Sequence, residues 1–262
     1  MKLEKWYLDA VLDDGTVWYG YQARLKLPGC PTIPWVCGHT IQPNGSGRVQ
    51  AQASWRTWPA PSCENGIWHW TGPDGLQATW EPTSAGSASP LGSDDQFQVH
   101  WNCVVPSAVV RCQIPNADGS LRELSGTGYI EHMQLETRGV SLPFKKLLWG
   151  RAHANGSSLV WIRWTAGREC TFLLENGRPV EGQIDTGSEG EVRVRTASGE
   201  WTARRTTPLC DRDVRTSFPG WIVKLVGRIV PHRELKLTGT ALLRDSHRSH
   251  SGTGIWEEVH WA

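Results

Sequence analysis

At 262 residues, with a hydrophobic fraction of 39%, a charged fraction of 20% and a formal net charge of +1, the chain has the composition of a globular protein. It is long enough for one large β domain or for two of about 130 residues, each able to bury a core. Lysine and arginine are scattered and sum to almost no field, which argues against nucleic acid or an anionic membrane surface as partner; no apolar run reaches the roughly 18 residues of a membrane span.

Taken in chain order, residues 6–27 read as a hairpin: Leu8, Ala10 and Leu12 alternate with polar positions, Asp14-Gly15 turns the chain, and Val17, Tyr19, Tyr21 and Ala23 alternate back. From 28 to 61 the texture changes to Pro, Gly, Ser and Asn, around His39 and the segment Trp55-Arg56-Thr57-Trp58, which predicts either a long ordered loop or irregular edge strands, and a place to look for a lid. Residues 67–71 and 76–80 form a hairpin about Asp74-Gly75, and the Ser/Gly/Ala-rich stretch 82–95 reads as a mobile connection. Three strands follow at 97–105, 108–114 and 121–131. The segment 142–148, Leu-Pro-Phe-Lys-Lys-Leu-Leu, is the best place for a short helix or crossover. The second half predicts hairpins about Asn155-Gly156, Asn176-Gly177 and Ser198-Gly199, then strands at 221–230, 235–244 and 254–261. Frequent turn signals, period-two alternation and no long 3.6-period segment together mean antiparallel all-β, closed into barrels to remove exposed edges.

The chain also repeats itself. Ser125-Gly126-Thr127-Gly128-Tyr129-Ile130-Glu131-His132 returns as Ser251-Gly252-Thr253-Gly254-Ile255-Trp256-Glu257-Glu258, 126 residues later; Val104-Val105-Pro106 returns as Ile229-Val230-Pro231 at a separation of 125. Two matches in nearly one register indicate a duplicated β domain, with copies at 1–138 and 139–262. Tyr129 and His132 have become Ile255 and Glu258, so a site is expected in the first copy, with the second as its buttress.

Sixteen tryptophans stand against four tyrosines and four phenylalanines. Indole suits the wall of an apolar cavity, and equally the filling of a core. Seven cysteines (30, 37, 63, 103, 112, 170 and 210) make an odd number with no CxxC pair, and Met1-Lys2-Leu3-Glu4-Lys5 lacks a signal core; reduced thiols and a cytoplasmic location are the expectation.

At Gly128-Tyr129-Ile130-Glu131-His132, followed by Leu142-Pro143 and Trp149-Gly150-Arg151, the chain resembles the lipocalin-like carotenoid 1,2-hydratase (hydroxyneurosporene synthase) group and its relatives, lipocalin-like Diels–Alderases and related hydratases. That group's strand is of Gly-Tyr-His-Asp-His type. Here Gly128, Tyr129 and His132 match, Ile130 replaces the first His, Glu131 replaces Asp, and Met133-Gln134-Leu135 stand where Asn-Trp-Gly is usual. The resemblance implies two lipocalin-like barrels or half-barrels packed together, very little helix, and hydratase, isomerase or cyclase chemistry on an apolar polyene or terpenoid-like molecule without cofactor or metal.

Such chemistry protonates carbon, which requires a carboxylic acid kept protonated near neutral pH by an apolar surrounding. Glu131 is the candidate acid. Side chains alternate along a strand, so Tyr129 shares its face, and His132 does not unless a bulge intervenes. Arg151 offers a competing role: paired with Glu131 it would make a base, or a staple between strands. Trp101, Trp149, Trp161, His100 and His153 are candidate walls of the substrate site; His69 reads as an ordinary strand histidine. His247, His250 and His260 with Glu257 and Glu258 match no established metal spacing. Two further readings stay open: a carrier for an apolar ligand, and a carbohydrate-binding protein presenting Trp55, Trp58, Trp68 and Trp70.

Overall fold

A computed structural model of the chain describes residues 1–42, 50–73, 75–93, 97–116, 118–139, 144–166, 168–187, 190–217, 231–246 and 248–261. The chain divides into two compact units, Met1–Arg138 and Gly139–Ala262. Each is built on one antiparallel sheet, and the helical content among the described residues is confined to 3-10 geometry, at Val214–Ser217 and at Gly190. No described helix is long and apolar enough to cross a membrane.

The first unit comprises β1 (Lys2–Leu12), β2 (Val17–Lys26), β3 (Thr32–Ile41), β4 (Gln50–Ser54), β5 (Ser62–Glu64), β6 (Ile67–Thr71), β7 (Gln77–Pro82), β8 (Ser87–Ser93), β9 (Phe97–Pro115) and β10 (Leu121–Thr137). They order as β4-β3-β2-β1-β10-β9-β7-β6-β5, with β8 paired to β9. The second comprises β11 (Lys146–Ala154), β12 (Ser157–Ala166), β13 (Arg168–Glu175), β14 (Arg178–Val180), β15 (Gly182–Thr186), β16 (Val192–Thr196), β17 (Gly199–Arg212), β18 (Arg233–Arg244) and β19 (Ser249–His260), ordered β14-β13-β12-β11-β19-β18-β17-β16-β15. Among the described strands the wiring is identical apart from β8: a meander whose first strand pairs with its last, with a seam at β4/β5 or β14/β15. This is the antiparallel all-β architecture expected from the turn spacing, with the duplication expected from the repeat and the lipocalin-like barrels implied by the resemblance.

Several turns follow directly from their residues. Asn65-Gly66, Asn155-Gly156 and Asn176-Gly177 each hold two successive positive φ angles, 52° and 82°, 50° and 77°, 52° and 76°, as two-residue hairpins demand. The first of these, between β5 and β6, was legible as Asn-Gly yet is absent from the predicted hairpins.

Within 28–61 the edge-strand alternative holds in part: β3 and the sheet-terminal β4 lie here, with 28–31, 42 and 55–61 as loop and 43–49 outside the described residues. In the 55–61 loop Trp58 donates to the Thr71 carbonyl at 2.7 Å and the Pro59 carbonyl accepts from Trp70 at 3.1 Å, so this loop is tied to β6. Three other expectations are corrected. The stretch 82–95 contains β8, which pairs with 98–103 of β9. The predicted strands 97–105 and 108–114 are one strand, β9; Pro106 is tolerated because it falls in a bulge opposite Tyr129, between the portions of β9 paired by β8 and by β7. In 142–148, expected as a short helix or a domain crossover, Lys146, Leu147 and Leu148 are not helical but open β11. They pair on one side with Thr165, Trp164 and Arg163 and on the other with His260, Val259 and Glu258, and two-sided pairing overrides their helix preference. Residues 142–143 and the predicted strand 221–230 lie outside the described residues.

Tryptophan fills both barrels. In the first, Trp18, Trp70 and Trp80 pack together, Trp18 at 5.4 Å and 6.2 Å from the other two ring centres, among Leu8, Ala10 and Val110. Trp161, Trp201 and Trp256 occupy the equivalent interior of the second. Room for these rings comes from glycine: a Cβ on Gly20 would lie 2.6 Å from the Trp18 ring, and one on Gly150 2.3 Å from that of Trp161. Close-packed indoles leave these interiors as cores.

Candidate functional site

The core of the first barrel takes the even-numbered residues of β1, Leu8, Ala10 and Leu12, with Trp18 of β2 and Ile130 of β10. Alternation therefore sends Tyr7, Asp9, Tyr19, Tyr21, Tyr129 and Glu131 to the opposite face of the sheet. These residues are buried too, so the central strands are covered on both sides. Pairing aligns them in rows. One runs His39, Tyr19, Asp9, Tyr129 across β3, β2, β1 and β10; the next runs Cys37, Tyr21, Tyr7, Glu131, Cys103 and reaches β9. A third, Trp35, Ala23, Lys5, Met133, Trp101, borders them. All four tyrosines of the chain stand on this one face.

The rings form a continuous layer. Tyr7 lies 5.1 Å from Tyr21 and 6.2 Å from Tyr129 between ring centres, Tyr19 is 6.0 Å from Tyr21, and Tyr19 stacks on His39 at 4.6 Å. Glu131 sits at one side of this layer, 5% exposed. Its Oε2 accepts from Trp101 Nε1 at 2.7 Å and from the Tyr129 hydroxyl at 2.9 Å. Its Oε1 faces Lys5 Nζ at 3.6 Å. Both short bonds come from neutral donors and converge on one oxygen, leaving the other as the oxygen able to take or give a proton. The Cys103 thiol, opposite Glu131, is held well above its ordinary pKa, first by burial; a hydrogen bond with Tyr129 works the other way and the charge of Glu131 adds to the rise.

The bulges that accommodate Pro106 lie on β9, and β10 runs regularly against β1 from Gly126 to Glu136. Alternation on β10 is thus undisturbed. Tyr129 and Glu131 share a face, and His132 turns to the other, where it stacks on Trp6 at 4.2 Å and its Nε2 lies 3.1 Å from Glu4 Oε1. His132 is not brought to the carboxylate. His100, expected as a wall residue, is exposed, because it alternates with buried Val99 and Trp101 on β9. Trp101 does meet Glu131, as a hydrogen-bond donor.

The remaining candidates belong to the second unit. Trp149, Arg151 and His153 follow one another on one face of β11. Trp149 and Arg151 are buried; the half-buried His153 has its pKa lowered, first by burial and then by the charge of Arg151. Trp161 is a core residue. The described partners of Glu131 come from β1, β9 and β10, and the cation among them is Lys5. A groove of about 640 Å³ at the β14/β15 seam, lined by residues such as Leu173, Val180 and Arg195, contains none of the candidates.

Other expected ligands resolve locally. His250 lies 3.4 Å from Asp245 and His260 2.6 Å from Glu258; His247 is outside the described residues, and among those described no three His, Cys, Asp or Glu side chains are placed to hold a metal ion. Trp70 is buried and Trp58 spends its N–H on Thr71, while Trp68 is half-buried against the core, so these rings do not form an open sugar platform.

Sequence reasoning missed Tyr7, Asp9, Tyr19, Tyr21, His39 and Lys5. The signal was present as Tyr7-x-Asp9 and Tyr19-x-Tyr21, polar residues at the odd positions of strands whose even positions are apolar.

By fold, the chain is similar to kievitone hydratase. That Nectria haematococca enzyme aligns over 98% of this chain and 88% of its own, with a TM-score of 0.58 and 10% identity. CghA aligns over 100% and 88% (TM-score 0.59, 13% identity) and has also been solved with Sch210972. A Nitrosomonas europaea protein described as a candidate AttH aligns over 100% and 93% (TM-score 0.63, 12% identity). No protein-family model matches the sequence, and no curated protein does. At these identities the likeness is one of fold.

Proposed function

We propose that the chain is an enzyme of the hydratase or cyclase kind, acting on a largely apolar small molecule, with Glu131 as the group that moves the proton. The observation that carries this reading is the asymmetry at Glu131: two neutral donors fix Oε2, and Oε1 is left for chemistry beside a layer of tyrosine rings. Similarity in fold to kievitone hydratase supports it. In this reading Trp101 and Tyr129 orient the carboxyl. Glu131 delivers a proton through Oε1 to an alkene carbon; water adds to the neighbouring carbon and returns a proton to Glu131. Where the substrate supplies its own nucleophilic carbon–carbon double bond, the same first step leads to isomerisation or ring closure with no water consumed. The tyrosine layer binds the apolar body of the substrate through ring faces and offers hydroxyls to its oxygens.

The test begins with the molecule that copurifies with the protein, identified by mass spectrometry. It is then incubated with wild type and with Glu131→Gln, an isosteric change whose amide oxygen still accepts from Trp101 and Tyr129. The expected result is a product heavier by one water, or an isomer of equal mass, formed at a rate reduced about 10²- to 10⁴-fold in the variant. Equal rates would remove Glu131 from the mechanism. Tight binding without any product in wild type would make the chain a carrier.

A further inference from the structure

Lys5 is the one cation the described residues place at this face beside Glu131, and its geometry is unlike that of an ordinary counter-ion. Its Nζ stands 3.6 Å from Glu131 Oε1, outside the roughly 2.7–3.2 Å of a formed hydrogen bond. It lies 5.4 Å from the ring centre of Tyr21 and 6.0 Å from that of Tyr7. Among the described residues no acceptor comes within hydrogen-bonding distance of it, although an ammonium carries three donors. Its side chain is 21% exposed, so it is largely withdrawn from water as well. Elsewhere in the chain a buried lysine behaves differently: Lys236 closes fully onto Glu257.

Exposure across the face is graded. The row of His39, Tyr19, Asp9 and Tyr129 is buried, as is the row of Tyr21, Tyr7 and Glu131, whereas Trp35, Ala23, Lys5 and Met133 of the third row are half-buried and only its Trp101 end is buried. Lys5 therefore marks the side from which a ligand reaches the tyrosine layer. An ammonium flanked by ring faces, stripped of most of its water and short of acceptors, favours an anionic oxygen there.

We infer that Lys5 is the receptor for an anionic or enolisable oxygen of the ligand, so that the substrate is an apolar molecule carrying a carboxylate, enol or conjugated carbonyl. This inference rests on the reading of Glu131 as the group that moves the proton and adds a substrate class to it, one on which Glu131 acts first as base and then as acid. With a conjugated carbonyl, the oxygen of water bonds the β carbon and the π electrons shift toward the carbonyl oxygen, whose charge Lys5 stabilises. Glu131 accepts the proton lost by water and passes it to the α carbon, so that the sum is one water added across one double bond.

The test needs no turnover. Quenching of tryptophan fluorescence is titrated with 2-naphthoate and with 2-naphthamide, which differ in charge and scarcely in shape. Wild type is expected to bind naphthoate at least tenfold more tightly. Lys5→Met brings the two ligands to parity, Lys5→Arg retains most of the preference, and Glu131→Gln raises naphthoate affinity several-fold by removing the carboxylate that competes for the ammonium. Equal binding of both probes by wild type, a preference that survives Lys5→Met, or weaker naphthoate binding in Glu131→Gln would each overturn the inference. A naphthoate preference that depends on Lys5, together with full turnover in Glu131→Gln, would uphold the receptor and sink the proton-transfer role instead.

Discussion

Glu131 and Glu257 occupy the same place in the two copies, 126 residues apart, on the strand that closes each meander. Their surroundings have diverged. Glu131 is flanked in register by Tyr7 on β1 and Cys103 on β9; Glu257 is flanked by Trp149 on β11 and Lys236 on β18. The carboxylate of the second copy is bound by a fully buried ammonium, itself held 5.5 Å over the Trp149 ring. That of the first is held by an indole and a phenol, with its cation at arm's length. A buried carboxylate closed onto a buried lysine is a staple, since neither charge can leave the other without a large desolvation cost. A carboxylate fixed by neutral donors keeps an oxygen for exchange. In the proposed reading duplication retained the acid and divided its uses; the residue facing it from the penultimate strand is cysteine in one copy and lysine in the other.

Breaking the staple should have the largest effect on stability. Lys236→Met removes the buried ammonium bound to Glu257 and is expected to cost about 3–5 kcal/mol in urea unfolding, most of it recovered in the Lys236→Met/Glu257→Gln double variant. The matching change in the first copy, Lys5→Met, is expected to cost about 1 kcal/mol or less, because that pair is longer and partly solvated. Comparable losses would erase the distinction between the copies. Next in size is Trp101→Phe, which removes one of two donors from Glu131 Oε2 and should cost about 1–3 kcal/mol while slowing turnover.

The smallest effect concerns pH. His153 has a folded pKa below its ordinary value of 6.5, so below pH 6.5 the unfolded chain binds more protons there than the folded one. Its contribution to stability is therefore complete above pH 6.5 and is lost as pH falls through the folded pKa. An NMR titration should place its ring midpoint below 6.5, and His153→Gln should flatten the acid side of the stability profile; a midpoint at or above 6.5 would contradict this.

Much of the fold was legible because it is written in local chemistry. Asn-Gly and Asp-Gly pairs fix hairpins by their φ angles, and alternation such as Leu8, Ala10, Leu12 fixes which face is core. The same alternation correctly paired Tyr129 with Glu131 and set His132 apart. What failed was what local pattern cannot hold. β8 was hidden by its small residues, and Lys146–Leu148 looked helical until two neighbouring strands claimed them. The tyrosine layer joins Tyr7 to Glu131 across more than a hundred residues, and only register reveals that Tyr19, Tyr21 and Asp9 converge there. Tryptophan was ambiguous by nature: the same indole fills the barrels at Trp18 and Trp161 and orients a carboxyl at Trp101.

The division of labour between the two acids is tested most directly by one paired measurement, the urea unfolding free energies of Glu131→Gln and Glu257→Gln. The expected result is a loss of about 3–5 kcal/mol for Glu257→Gln, which removes the carboxylate bound to the buried Lys236 ammonium, and a change within about 1 kcal/mol for Glu131→Gln, whose amide satisfies the same two donors. Equal and large losses in both variants would make Glu131 a second staple and contradict it.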